Sequence, residues 1–223
     1  MFQNLFNFFI VTDLESGSYY PTTAGNIALF VVVALLFIAM LTFSGTNKKV
    51  NAKQLAFSAV AVALSVVAGM FTVFNLPYGG SVTLFRMFFI CLIGYLYGTR
   101  AGVLTGIACG LLDLILKPYV VHPVQLIMDY PLAFGCLGLS GIMAKQKLGI
   151  LKGYILGVSG RYICHVLTGV IFFSMYAGTQ NPMIYSLIYN ATYIVPEAVL
   201  TVVLLLLPPV REAFAQVKRL ALE

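Results

Sequence analysis

Several ionisable and hydrogen-bonding side chains stand inside long apolar runs of this 223-residue sequence. They comprise the carboxylates Asp113, Asp129 and Glu197, the imidazole of His165, the amide of Asn190 and the guanidiniums Arg86 and Arg161. A charged group at a bilayer centre costs ~2.5–3.5 kcal/mol on insertion scales, which makes each a functional candidate. The aromatic residues Tyr119, Tyr130, Phe173 and Tyr185 lie near them in sequence. His165, Gly169 and Phe173 recur every four residues, so one helical face would present all three. Ser186, Asn190, Tyr193 and Glu197 draw a second polar stripe. This set suits a small, partly aromatic, cationic or amine-bearing solute: carboxylates meet the positive group and aromatic faces stack on a flat ring. There is no GxxxxGK[ST], HExxH, GxSxG or CxxC pattern, so no metal or cofactor is expected. An intramembrane enzyme using Asp129, His165 and Glu197 as acid–base groups is an alternative. It is disfavoured because no nucleophile accompanies them.

The elements that position these residues follow from composition. The chain is 61% hydrophobic and 9% charged, far from the ~25% charged residues of a soluble domain. An all-α polytopic membrane protein is expected. The apolar runs are not alternating, which excludes barrel strands. Seven spans fall near residues 24–44, 54–76, 82–98, 101–116, 124–144, 150–175 and 183–207. They divide into an N-terminal extension with one span (1–52), a six-helix membrane core (53–207) and a cytoplasmic tail (208–223). Residues 1–23 carry Asp13 and Glu15 and no Lys or Arg, unlike the basic start of a signal peptide.

The cations fix the expected orientation. Lys48, Lys49, Lys53, Arg100, Lys145, Lys147, Lys152, Arg211, Lys218 and Arg219 fall on one side of the expected membrane, and Lys117 alone on the other. The positive-inside rule then places the N-terminus outside and the C-terminus in the cytoplasm. The net charge of +6 is thus a matter of topology, and no basic stripe suggests nucleic acid. This orientation puts Asp129, Tyr130, His165, Tyr185 and Asn190 in the outer half of the membrane.

Plain structural readings stand beside the functional ones. Arg161 could pair with Glu197 or Asp113 as a buried bridge, and Arg86 could snorkel to the outer interface. His165 and Glu197 could be satisfied packing residues, and His122 could be a loop residue facing water. Cys91, Cys109, Cys136 and Cys164 read as small apolar packing residues. Gly94, Gly98, Gly102, Gly106 and Gly110 form a four-residue repeat that allows close helix approach.

Five stretches carry a family resemblance: AFSAVAVALS at 56–65, PYGGS at 77–81, QLIMDYPLAFGCLG at 125–138, RYICHVLTGVIFFSMYA at 161–177 and YSLIYNATYIVPE at 185–197. From about Ala56 to Leu207 the chain resembles the ThiT (YuaJ) family, the thiamin-specific S components of energy-coupling factor (ECF) transporters. The resemblance implies a six-helix core that binds thiamin from outside, with a membrane-embedded partner and cytoplasmic ATPases completing the importer. Ligand positions carry over to Tyr119, Asp129, Tyr130, His165, Gly169, Tyr185 and Asn190, with Phe173 as the stacking ring. Ala59 and Ala63, four apart on an Ala-rich helix, would dock the membrane partner. Intramolecular packing is the other reading of that spacing. Two positions depart from the family pattern: Phe173 stands where a tryptophan is common, and Asp129 where a longer glutamate is expected. An S component for another vitamin or a nucleobase-like solute is the nearest alternative, and a small channel a more distant one.

Overall fold

The computed structural model describes residues 51–77 and 80–223, together with 8, 10–12, 19–28, 31, 35 and 38 nearer the N-terminus. The first helix, α1 (Ala52–Met70), starts where the Asn51 side chain accepts a 2.7 Å hydrogen bond from the Gln54 amide. It is followed by two strands, Thr72–Asn75 and Ser81–Thr83, paired antiparallel, and then by α2 (Arg86–Tyr97). Next come α3 (Thr99–Leu116), the continuous helical run α4 (Pro123–Met143), α5 (Gly149–Phe172), a short 3₁₀ turn (Ser174–Ala177), α6 (Pro182–Leu206) and α7 (Pro208–Leu222). Proline at the first position and a side-chain cap, from His122 and from Asn181, start α4 and α6. A further antiparallel pair, Ile10–Thr12 with Tyr19–Pro21, lies near the N-terminus.

Five of these helices are long and apolar enough to cross a bilayer: α1, α3, α4, α5 and α6. They match the expected second, fourth, fifth, sixth and seventh spans. The first expected span, 24–44, falls largely outside the described residues, although residues 23–28 are helical. Two expectations change. The second span does not run to 76, because Thr72–Asn75 leaves the helix and pairs antiparallel with Ser81–Thr83. The third is shorter than 82–98: twelve residues of α2 rise about 18 Å, less than the hydrocarbon core. The tail is helical, with Phe214 of α7 edge-on to Phe88 and the Tyr97 hydroxyl donating to the Ala221 carbonyl at 3.1 Å.

Backbone packing, more than side-chain volume, sets where the polar residues stand. A Cβ on Gly106 would run into the carbonyl of Phe134, and one on Gly110 into that of Tyr130. The glycine repeat therefore lays α3 directly on α4. Gly98, with φ of +92°, makes the tight turn between α2 and α3. Pro131 sits inside α4 and has no amide hydrogen to continue the helix. The chain accommodates it with a wide π turn over Met128–Leu132. That turn carries Asp129 and Tyr130. Cys91, Cys109 and Cys164 are buried and all four cysteines are free thiols, in keeping with their reading as packing residues.

Candidate functional site

A cavity of about 390 Å³ opens among the hairpin, the 117–122 loop and the facing ends of α3, α4, α5 and α6. All eight residues expected to touch a ligand line it: Tyr119, Asp129, Tyr130, His165, Gly169, Phe173, Tyr185 and Asn190. They do not all present free groups to it.

Asp129 is the most heavily bonded. Its Oδ1 accepts from Thr168 Oγ1 at 2.6 Å and lies 3.0 Å from His165 Nδ1, and its Oδ2 accepts from Gln125 Nε2 at 2.7 Å. Three donors from α4 and α5 hold the carboxylate in one orientation. With Nδ1 turned to Asp129, His165 keeps Nε2 without a protein partner among the described residues. Gln125 and Thr168 escaped the reading of the sequence. Gln125 stands one turn before Asp129, and Thr168 three residues after His165; the i, i+4 spacing was the available signal for Gln125.

Tyr130 faces the loop as well as the cavity. Its hydroxyl accepts from the Tyr119 amide at 2.8 Å and donates to the Lys117 carbonyl at 3.1 Å. Gln125 supports the same loop by accepting from the Val121 amide at 3.1 Å. These bonds hold the Tyr119 ring 5.9 Å from Phe173, with 23° between the planes, while Tyr176 stacks on Phe173 at 6.1 Å. Tyr185 stacks on Tyr189, whose hydroxyl bonds the Pro77 carbonyl and accepts from the Gly80 amide, tying the hairpin to α6. Asn190 bridges two helices: Nδ2 donates to the Ser186 and His165 carbonyls at 2.8 and 3.2 Å, and Oδ1 accepts from Tyr193 at 2.6 Å.

Gly169 lines the cavity and is also packed against α6: a Cβ there would strike the Ser186 hydroxyl. Gly169→Leu is therefore expected to lower thermal stability by ~1–3 kcal/mol, the usual cost of overpacking, besides obstructing the cavity. An unchanged unfolding midpoint in detergent would contradict this.

The intramembrane charges also resolve. Arg86 does not snorkel; it is buried and pairs with Asp113 at 2.6 Å. Arg161 forms neither expected ion pair, and its guanidinium instead lies 4.0 Å from the Phe134 ring centroid. Glu197 accepts from Thr83 Oγ1 at 2.6 Å and from the Met87 amide at 2.8 Å, so it caps the start of α2. That engagement separates Glu197 from the Asp129–His165 pair and weakens the acid–base alternative. His122 is half-buried, stacked on Phe172 at 4.9 Å, rather than a water-facing loop residue.

Residues 55–216 match the family described as thiamine transporter protein (Thia_YuaJ). The chain is also 38% identical over 165 residues to the thiamine transporter ThiT of Bacillus subtilis (strain 168), covering 67% of this chain and 84% of that protein. The chain belongs to the thiamine transporter family. A second member of the thiamine transporter family, ThiT of Lacticaseibacillus paracasei, is 37% identical over 117 residues, which is 44% of this chain and 58% of that one. The fold is that of the solved ThiT from Listeria monocytogenes, with a TM-score of 0.54 at 23% identity over 77% of this chain and 96% of that one. As a thiamine transporter family member with five bilayer-length helices, the chain is a multi-pass membrane protein.

Proposed function

We propose that this chain is the thiamin-binding membrane subunit of an ATP-driven importer of the energy-coupling factor type. The observation that carries the reading is the cavity, in which a carboxylate fixed by three donors stands beside a ring stack, within a chain of the thiamine transporter family. Thiamin brings an aminopyrimidine and a positively charged thiazolium. Asp129 supplies the opposite charge, His165 Nε2 is free to accept from an amino group, and Phe173 with Tyr119 supplies flat apolar area. Tyr130 and Asn190 act by holding the walls, and Tyr185 adds a ring at the mouth.

The six-helix core over 53–207 is the binding unit, with 1–52 an added segment and 208–223 at the cytoplasmic surface. The end bearing Arg100, Lys145, Lys147 and Lys152 faces the cytoplasm, so the cavity at the opposite end opens outside. No phosphate-binding loop occurs in the sequence, so the ATPases of the importer are other chains. The membrane partner docks on α1. Ala59 and Ala63 are exposed there, whereas Ala61, Ser65 and Gly69 turn into the bundle.

Uptake of labelled thiamin by cells that lack their own transporter tests the assembly. Uptake is expected when this chain is expressed with an energy-coupling module and to vanish without it. The stacking role has its own test in binding affinity. Phe173→Ala is expected to weaken thiamin binding by ~1–3 kcal/mol, and Phe173→Trp to bind at least as well as the parent. A Phe173→Ala variant with parental affinity would remove this ring from the site.

A further inference from the structure

Two thiols meet between α4 and α5, the helices that carry Asp129 and His165. The Sγ atoms of Cys136 and Cys164 are 3.8 Å apart, close enough for one thiol to donate to the other. Gly160, one turn before Cys164, lets the helices approach: a Cβ there would stand 3.0 Å from the Cβ of Cys136. Cys164 is buried, Cys136 is half-buried, and both stand outside the cavity lining. The other two thiols, Cys91 and Cys109, are fully buried in the core. A disulfide holds its sulfurs about 2.05 Å apart. The pair must therefore close by about 1.8 Å, which rotation about the two Cα–Cβ bonds and a slight approach of the helices supply.

We propose that Cys136 and Cys164 form a reversible disulfide that ties α4 to α5 and lowers the affinity of the cavity for its ligand. The oxidant is a peroxide. Cys136, the more exposed thiol, attacks one peroxide oxygen. The O–O bond breaks, and the departing hydroxide leaves as water with the thiol proton. Cys164 Sγ then displaces the hydroxyl of the resulting sulfenic acid, which leaves as a second water with the Cys164 proton. Two thiols thus lose two electrons, and one hydrogen peroxide is reduced to two waters. The new bond lies close to the site along both helices. Cys164 immediately precedes His165, and Thr168 follows one turn later. Cys136 lies two turns past Asp129, across the π turn at Pro131. Thr168 Oγ1 and His165 Nδ1 reach Asp129 across this helix pair at 2.6 and 3.0 Å, lengths already near the optimum. Drawing α4 toward α5 at the sulfurs displaces the two sides of that contact against each other.

Peptide mapping by mass of the purified full chain in nanodiscs, before and after hydrogen peroxide, reads the bond. Calorimetric titration with thiamin reads its effect, and this second readout rests on the thiamin-binding reading above. Oxidation is expected to link Cys136 to Cys164, leaving Cys91 and Cys109 as thiols. It is expected to weaken thiamin binding about three- to tenfold, the effect of weakening one hydrogen bond. Dithiothreitol is expected to restore the affinity, which separates the disulfide from methionine oxidation, whose reversal needs an enzyme. Cys136→Ser and Cys164→Ala are each expected to bind as the reduced parent does and to keep that affinity after peroxide; either carries the comparison if the other does not fold. No linkage between Cys136 and Cys164 in the treated chain, unchanged affinity in the linked chain, or the same peroxide-induced loss in a cysteine variant overturns the proposal. A reduced parent that binds no thiamin overturns the thiamin reading, and the effect on binding with it, while the mapped linkage still decides the bond.

Discussion

Asp129→Asn is expected to weaken thiamin binding by ~2–5 kcal/mol, the range for removing one partner of a buried charge pair. Two losses combine. The ligand's positive ring loses its counter-charge, and the amide no longer accepts from all three groups that converge on the carboxylate, so the hydrogen bonds around it must rearrange. Thr168 Oγ1 and His165 Nδ1 approach one oxygen and Gln125 Nε2 the other. With its oxygen on Gln125 Nε2, the asparagine NH₂ meets Thr168 Oγ1 and His165 Nδ1 and is accommodated only if Thr168 turns its hydroxyl to a backbone carbonyl and His165 takes the other tautomer. Dissociation constants for parent and variant, with unfolding midpoints as a control for folding, check the prediction. Asp129→Glu keeps the carboxylate and is expected to retain binding. An Asp129→Asn variant that folds and binds with parental affinity would take Asp129 out of the site.

Ala59→Trp with Ala63→Trp is expected to abolish uptake while leaving thiamin binding intact. Both alanines are exposed on α1, and the inward stripe of that helix is made by Ala61, Ser65 and Gly69. Two indoles on the outer face would hold a partner helix away from the close approach that small residues permit. Uptake in cells and co-purification with the transporter module read the first effect, and titration of the purified chain reads the second. Loss of ligand binding in the double variant would mean that this face packs internally, for example against the N-terminal segment.

The residues at the cavity were legible from sequence because the membrane makes polar groups conspicuous. Asp129, His165 and Asn190 stood out in apolar runs, and helical spacing joined His165 to Phe173. All of them line the cavity. What each group bonds to was not legible. The pairing of Arg86 with Asp113 joins residues 27 positions apart in sequence, and nothing in local spacing chooses it over a pairing of Asp113 with Arg161. Gln125 and Thr168 were overlooked because neutral polar residues are common in membrane helices, and their value here comes from the π turn at Pro131 that aims Asp129 between them. The paired strands Thr72–Asn75 and Ser81–Thr83 were not foreseen: Val73 and Phe74 continue the apolar run of the helix before them, and Val82 leads into the run after them. The close packing of Gly169 against Ser186 was not legible either, because the two residues stand on different helices 17 positions apart.

The most direct test is calorimetric titration of the purified chain, in detergent or nanodiscs, with thiamin in parallel with other vitamins. The expected result is saturable 1:1 binding of thiamin with a dissociation constant below about 1 μM, equivalent to more than about 8 kcal/mol, and thiamin recovered unchanged afterwards. No saturable heat with thiamin while another vitamin binds tightly, or conversion of thiamin during the titration, would contradict the account.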